Sequence, residues 1–181
     1  MLMASDDIYG QQLKLEMTYD GFFDNREYFH ELSPHYSLFG NRLSGGLNIS
    51  FNDSNRIHSG ISYLREFGDL VNDKNPKYYA YYSNRGKLLR FFIGVFPRSH
   101  FESMNRVLLN DTIGYYRPFM EGMGLQIKTN AGRLEGWLDW TSRQTDTIRE
   151  AFLIGITGNW EMNSFFFKHQ LLALHYANPR I

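Results

Sequence analysis

The 181-residue sequence contains no cysteine, which excludes disulfide frameworks, thiolate zinc sites and cysteine nucleophiles. It also lacks any run of about 18 apolar residues, so no segment is suited to cross a membrane as a helix; crossing by strands stays open. Excess charge of either sign is missing. Nineteen Lys and Arg balance nineteen Asp and Glu, which leaves no field to gather nucleic acid. The opening MLMASDDIYGQQLK has neither the basic start nor the apolar stretch of a secretory signal. The six histidines, at 30, 35, 58, 100, 169 and 175, show no H-E-x-x-H or other paired spacing, and no metal or cofactor is implied.

What is abundant points to sheet. Aromatic residues make up 17% of the chain beside sixteen glycines, a mixture that favours strands joined by tight turns. Period-2 alternation predicts nine strands, near 12–22, 38–52, 55–67, 77–83, 87–97, 120–129, 133–142, 148–158 and 163–176. Leu13, Leu15, Met17 and Tyr19 oppose Lys14, Glu16, Thr18 and Asp20 in the first. Leu43, Leu47, Ile49 and Phe51 do the same in the second, Met123, Leu125 and Ile127 in the sixth, and Leu134, Leu138 and Trp140 in the seventh. The fourth strand, KYYAYYS, is too aromatic to assign a face, and the ninth is apolar on both faces and open to a partly helical reading.

Connections alternate in length. NDSN, SNRGK, TNAGR and TGNWEMN are compact and rich in Asn and Gly. Between them fall longer links at 23–37, 68–77, 98–118 and 142–148. In an antiparallel meander every second connection lies at the same end, so all tight turns gather at one end and all long loops at the other. Outer-membrane barrels are built this way, with apolar side chains toward lipid and a polar lumen. The expected fold is therefore all-β, an antiparallel up-and-down meander forming part of a transmembrane β-barrel, with residues 1–181 as a single barrel segment and no second domain. Tyr19, Tyr63, Tyr78, Trp140 and Trp160 near strand ends suit the membrane interfaces.

YDGFFDNREYF (19–29), RFFIGVFPRSHF (90–101) and WLDWTSRQTDTIREAF (137–152) resemble segments of porin-like outer-membrane β-barrel proteins of Gram-negative bacteria, a group largely uncharacterised. The resemblance implies residence in the bacterial outer membrane, with lipid as a partner, and passage of small polar solutes such as saccharides as the task. Nine strands is an odd count where bacterial single-chain barrels use even ones, and HYANPRI is not the usual aromatic ending. The expectation is an N-terminal fragment of a longer barrel, without its signal peptide.

Under that reading Arg98, Asp139, Arg143, Asp146 and Arg149 line the mouth, and Arg90, Lys128, Arg133 and Glu135 line the lumen below. The same charges equally suit a structural ion-pair network that fastens a loop. Phe101, Met104, Val107 and Leu108 have rough helical spacing, as in a short plug helix, and Tyr115 and Tyr116 are loop aromatics able to stack on a sugar ring or to pack a loop base.

Two other classes compete. A soluble β-sandwich or jelly roll would hold glycan or serve structurally, with its oily face inward. An outer-membrane enzyme would need a catalytic set, and the sequence offers little. There is no G-x-S-x-G elbow, Ser142 with His100 or His58 is a weak pairing, and alternation sets Asp139 and Glu150 on opposite faces. The sequence reading is accordingly a channel, not an enzyme.

Overall fold

A computed structural model describes residues 12–26, 36–68, 75–105, 107–110 and 112–177. Its nine strands are β1 (Gln12–Arg26), β2 (Tyr36–Ser50), β3 (Asn55–Glu66), β4 (Lys77–Arg85), β5 (Leu89–Pro97), β6 (Phe119–Thr129), β7 (Gly132–Ser142), β8 (Ala151–Met162) and β9 (Phe165–Tyr176). They form one antiparallel sheet in sequence order, each strand hydrogen-bonded to the next, which is the expected all-β meander. Among the described residues, β1 pairs only with β2 and β9 only with β8.

Tight connections at 51–54, 86–88, 130–131 and 163–164 occupy one end of the sheet; the described long connections, 98–118 and 143–150, occupy the other. Local chemistry closes the turns. Asn52 Oδ1 accepts hydrogen bonds from the backbone N–H of Ser54 and Asn55, at 3.0 and 2.8 Å. Asn163 takes a positive φ of 51°, so the last hairpin turns in two residues and the segment 157–162, expected as a turn, is strand. β9 is strand throughout, because β8 supplies partners from Ala151↔Tyr176 to Met162↔Phe165 and local ambiguity gives way to pairing. The links at 27–35 and 69–74, with His30 and His35, lie outside the described residues.

The two faces of the sheet differ in kind. Leu43, Leu47, Ile57, Ile61, Ile93, Met123, Leu125 and Ile154 are exposed on the convex side, with Tyr63, Tyr78 and Trp140 toward the long-loop end. On the concave side Tyr79, Tyr81, Phe92, Phe96, Met120 and Trp137 are buried, joined by Phe101 from the long connection 98–118. That connection folds into the concavity. Among the described residues, the spacing of Phe101, Met104, Val107 and Leu108 forms no plug helix: a 3₁₀ turn at Arg98–His100 and the four-residue α1 (Ile113–Tyr116) are the regular parts of the connection. Wall glycines make the room, since a Cβ on Gly124 would overlap the Phe101 ring and one on Gly155 would meet Trp137 and Met104.

Candidate functional site

Two polar assemblies line the concave wall. The first fastens the infolded loop. Glu135, only 2% exposed, accepts from Gln126 Nε2 at 2.7 Å, from the Glu102 backbone N–H at 2.7 Å and from Thr157 Oγ1 at 3.2 Å, and it pairs with Arg133. Gln126 also donates to the His100 carbonyl at 2.6 Å. Farther up, Asp139 is fully buried, pairs with Arg98, accepts the Glu121 N–H at 3.1 Å and has Arg117 at 3.7 Å. The Arg98 guanidinium also lies over the Trp137 ring, 5.6 Å from its centroid. Glu102 pairs with Lys168 and accepts from Asn159 Nδ2 at 2.7 Å. Burial alone would raise the Glu102 carboxyl, but these two donors outweigh it and hold the group below its ordinary value.

The second assembly lies nearer the tight-turn end, where β1, β3 and β4 present Glu16, His58 and Ser83 to the concave side. His58 Nδ1 is 3.2 Å from Glu16 Oε2, and His58 Nε2 is 3.2 Å from Ser83 Oγ. An ionised carboxylate only accepts, so Nδ1 carries the imidazole proton; Nε2 is then the acceptor and the Ser83 hydroxyl the donor. Asn48 Nδ2 donates to Glu16 Oε1 at 2.8 Å and holds the carboxylate in place. The Tyr81 ring stacks flat on His58, with centroids 4.4 Å apart, and shares a 3.1 Å hydrogen bond with His100 Nε2. His100 titrates at about 4 instead of 6.5, chiefly because burial disfavours the imidazolium, with Arg85 and His58 adding repulsion and Glu16 opposing. A cavity of about 700 Å³ between wall and loop is lined in part by Glu16, His58, Tyr81, Arg85 and His100.

Of the residues singled out in the sequence, Arg98 meets Asp139 and Arg133 meets Glu135. Arg143, Asp146 and Arg149 are exposed on the 143–150 connection, with no ion pair joining them among the described residues. Arg90 and Lys128 are exposed near the tight-turn end. Tyr115 packs on Phe22, with centroids 4.8 Å apart, and Tyr116 is exposed. Ser142 donates to the Arg149 carbonyl at 2.6 Å. The sequence reading missed Ser83, because it sits on the strand whose faces could not be assigned, and it did not join Glu16 to His58. The register that sets His58 opposite Tyr81 brings the three together. Among the described residues no cluster of three or more His, Asp or Glu side chains is arranged to hold a metal ion.

The model of a family described as Lipid A 3'-O-deacylase-type matches residues 4–178. No match was found among curated proteins. The family match overturns the porin-like resemblance and, with it, the channel for small polar solutes or saccharides, the assignment to transport and the expectation that the chain is not an enzyme: a deacylase family is one of ester hydrolases. The physical counterpart is the apolar, mostly aromatic filling of the concave side by Phe92, Phe96, Phe101, Met120 and Trp137, where a hydrated channel would need water.

Proposed function

We propose, from the premise that the chain belongs to the Lipid A 3'-O-deacylase-type family, that it hydrolyses the acyl ester on the 3'-oxygen of lipid A in the outer membrane. Water is consumed, a fatty acid leaves, and the sugar hydroxyl is restored. The observation that carries this reading is the extent of the match, residues 4–178 of 181, which takes in all nine strands and the infolded loop.

The geometry supports it in two ways. The exposed apolar side chains of the convex face suit contact with hydrocarbon, and the exposed aromatics Tyr63, Tyr78 and Trp140 suit a lipid interface, so the lipid partner and the enzyme share one phase. On the concave side a cavity bordered by imidazole, carboxylate and phenol groups replaces an open lumen. In this reading residues 1–181 act as one segment of barrel wall, without a second domain, and the outward edges of β1 and β9 find partners when the wall closes.

The test is to incubate the full chain in detergent micelles with lipid A and follow the lipid by mass spectrometry. Loss of one ester-linked acyl chain, with the matching free fatty acid, is expected. Intact lipid A after prolonged incubation with protein that retains heat-modifiable gel mobility would reject the proposal.

A further inference from the structure

We infer that the concave mouth at the tight-turn end docks an extended acidic peptide segment of a soluble partner protein. Parity and register build the site. Arg56 on β3, Arg85 on β4, Arg90 on β5, Lys128 on β6 and Arg133 on β7 share the parity of the concave side, and each lies within two residues of a tight connection. Pairing makes them neighbours. Arg85 stands directly opposite Arg90, and Lys128 directly opposite Arg133. Arg56 opposes Ser83 and Arg90 opposes Gln126, so the next cation in each case lies two residues farther along, on the diagonal. Five adjacent strands thus carry one unbroken row of positive charge. Like charges directly opposite destabilise a sheet, and this row holds two such pairs.

Four of the five cations have no counter-charge within the protein. Arg133 pairs with Glu135. Among the described residues no ion pair and no side-chain hydrogen bond engages Arg56, Arg85, Arg90 or Lys128, and Arg56 Nε is buried without a partner. Glu16, whose field reaches Arg85, is taken by Asn48 and His58. Asp53 and Glu161 are exposed at the same end and close no pair with the row. A chain with no net charge has therefore left one mouth cationic.

The shape of the row selects its occupant. Five strands about 4.8 Å apart spread the charges over about 19 Å, whereas a compact anion such as phosphate needs donors that converge. An extended peptide rises about 3.3 Å per residue, so about six residues cover the row and bring carboxylates to the guanidinium forks. Lipid headgroups are on the wrong side, because the apolar residues suited to hydrocarbon cover the convex face and the row points away from it. Outer-membrane barrels turn their tight-turn end to the periplasm, which makes the partner a soluble protein of that compartment. Arg85 also lines the cavity between wall and loop, so an occupied mouth adjoins it.

The experiment titrates the full chain, in uncharged detergent micelles at about 20 mM salt, into fluorescein-labelled hexaglutamate and follows anisotropy. Expected results are saturable binding that weakens about tenfold or more when salt is raised to about 200 mM, and a further loss of about tenfold when Arg85→Gln and Arg90→Gln are combined. Arg143→Gln with Arg149→Gln, at cations exposed beyond the opposite end, should change binding by less than about twofold. Without peptide, the Arg85→Gln and Arg90→Gln double variant should keep its gel-mobility shift to a higher temperature than the unsubstituted protein, because the repulsion across that pair is gone. Residues that merely held the fold together would move it the other way. If the double variant does not fold, Lys128→Gln gives the same reading with a loss of about threefold. No saturable binding, or undiminished binding by the folded variants, overturns the site. Tighter binding of hexathymidylate or tripolyphosphate than of hexaglutamate overturns a peptide as its occupant. None of these readouts involves hydrolysis, so failure of the deacylase reading leaves them unchanged.

Discussion

Glu135 and Glu16 are both carboxylates on the concave wall, and their surroundings make them opposites. Glu135 is 2% exposed and surrounded by donors from β6, β7, β8 and the loop backbone. The Glu16 side chain is 42% exposed, held by Asn48 and His58, and open toward the cavity. A carboxylate whose lone pairs are all taken can only hold things still, whereas one at the end of a hydrogen-bonded chain transmits its charge to the far end. One side of the wall anchors the loop; the other presents a polarised hydroxyl beneath it.

Substitutions ranked by expected effect sharpen the contrast. The largest effect falls on the anchoring side. Glu135→Ala strands the Glu102 N–H, the Gln126 amide and the Thr157 hydroxyl, and should cost about 3 kcal/mol in unfolding measured by denaturant titration. Glu16→Ala, at a side chain 42% exposed, should cost about 1 kcal/mol in the same titration. Equal loss of stability in both variants would erase the distinction.

Gly124→Ala tests the loop's seat directly. The added methyl collides with the Phe101 ring and should cost about 2 kcal/mol, read as quicker proteolysis within 98–118. Acid should loosen the same segment more gently. Because docked His100 titrates at about 4 and a free imidazole at 6.5, the undocked loop binds the proton more readily. Docking is therefore fully stable above about 6.5 and weakens as pH falls toward 4, which Trp137 fluorescence should follow; His100→Asn should flatten that dependence. The smallest change is expected for Lys168→Ala. Its side chain is 42% exposed, so losing the pair with Glu102 should cost under about 1 kcal/mol, with little change in loop proteolysis.

The alternation in the sequence carried the sheet correctly because a side chain's face depends only on its parity within a strand. Leu47, Ile49 and Leu125 look outward as their spacing implied, and the alternation of long and short links placed turns and loops at opposite ends. The channel reading failed where that signal stops. In RFFIGVF both parities are apolar, so nothing local distinguishes Phe92 and Phe96, which fill the concave side, from Phe91 and Ile93, which do not. A plug from 98–118 was open to the sequence but its anchors were not, since the loop is held by Glu135, Gln126 and Asp139, residues of strands that follow it in the chain.

By itself the sequence determined the strands, their order and the apolar character of one face, because these follow from parity, turn residues and the lengths of links. Only the tertiary structure decided what occupies the other face and which hydroxyl, imidazole and carboxylate meet there. Glu16, His58 and Ser83 are 42 and 25 residues apart, and their contact depends on cross-strand register, a property of pairing that no single segment encodes.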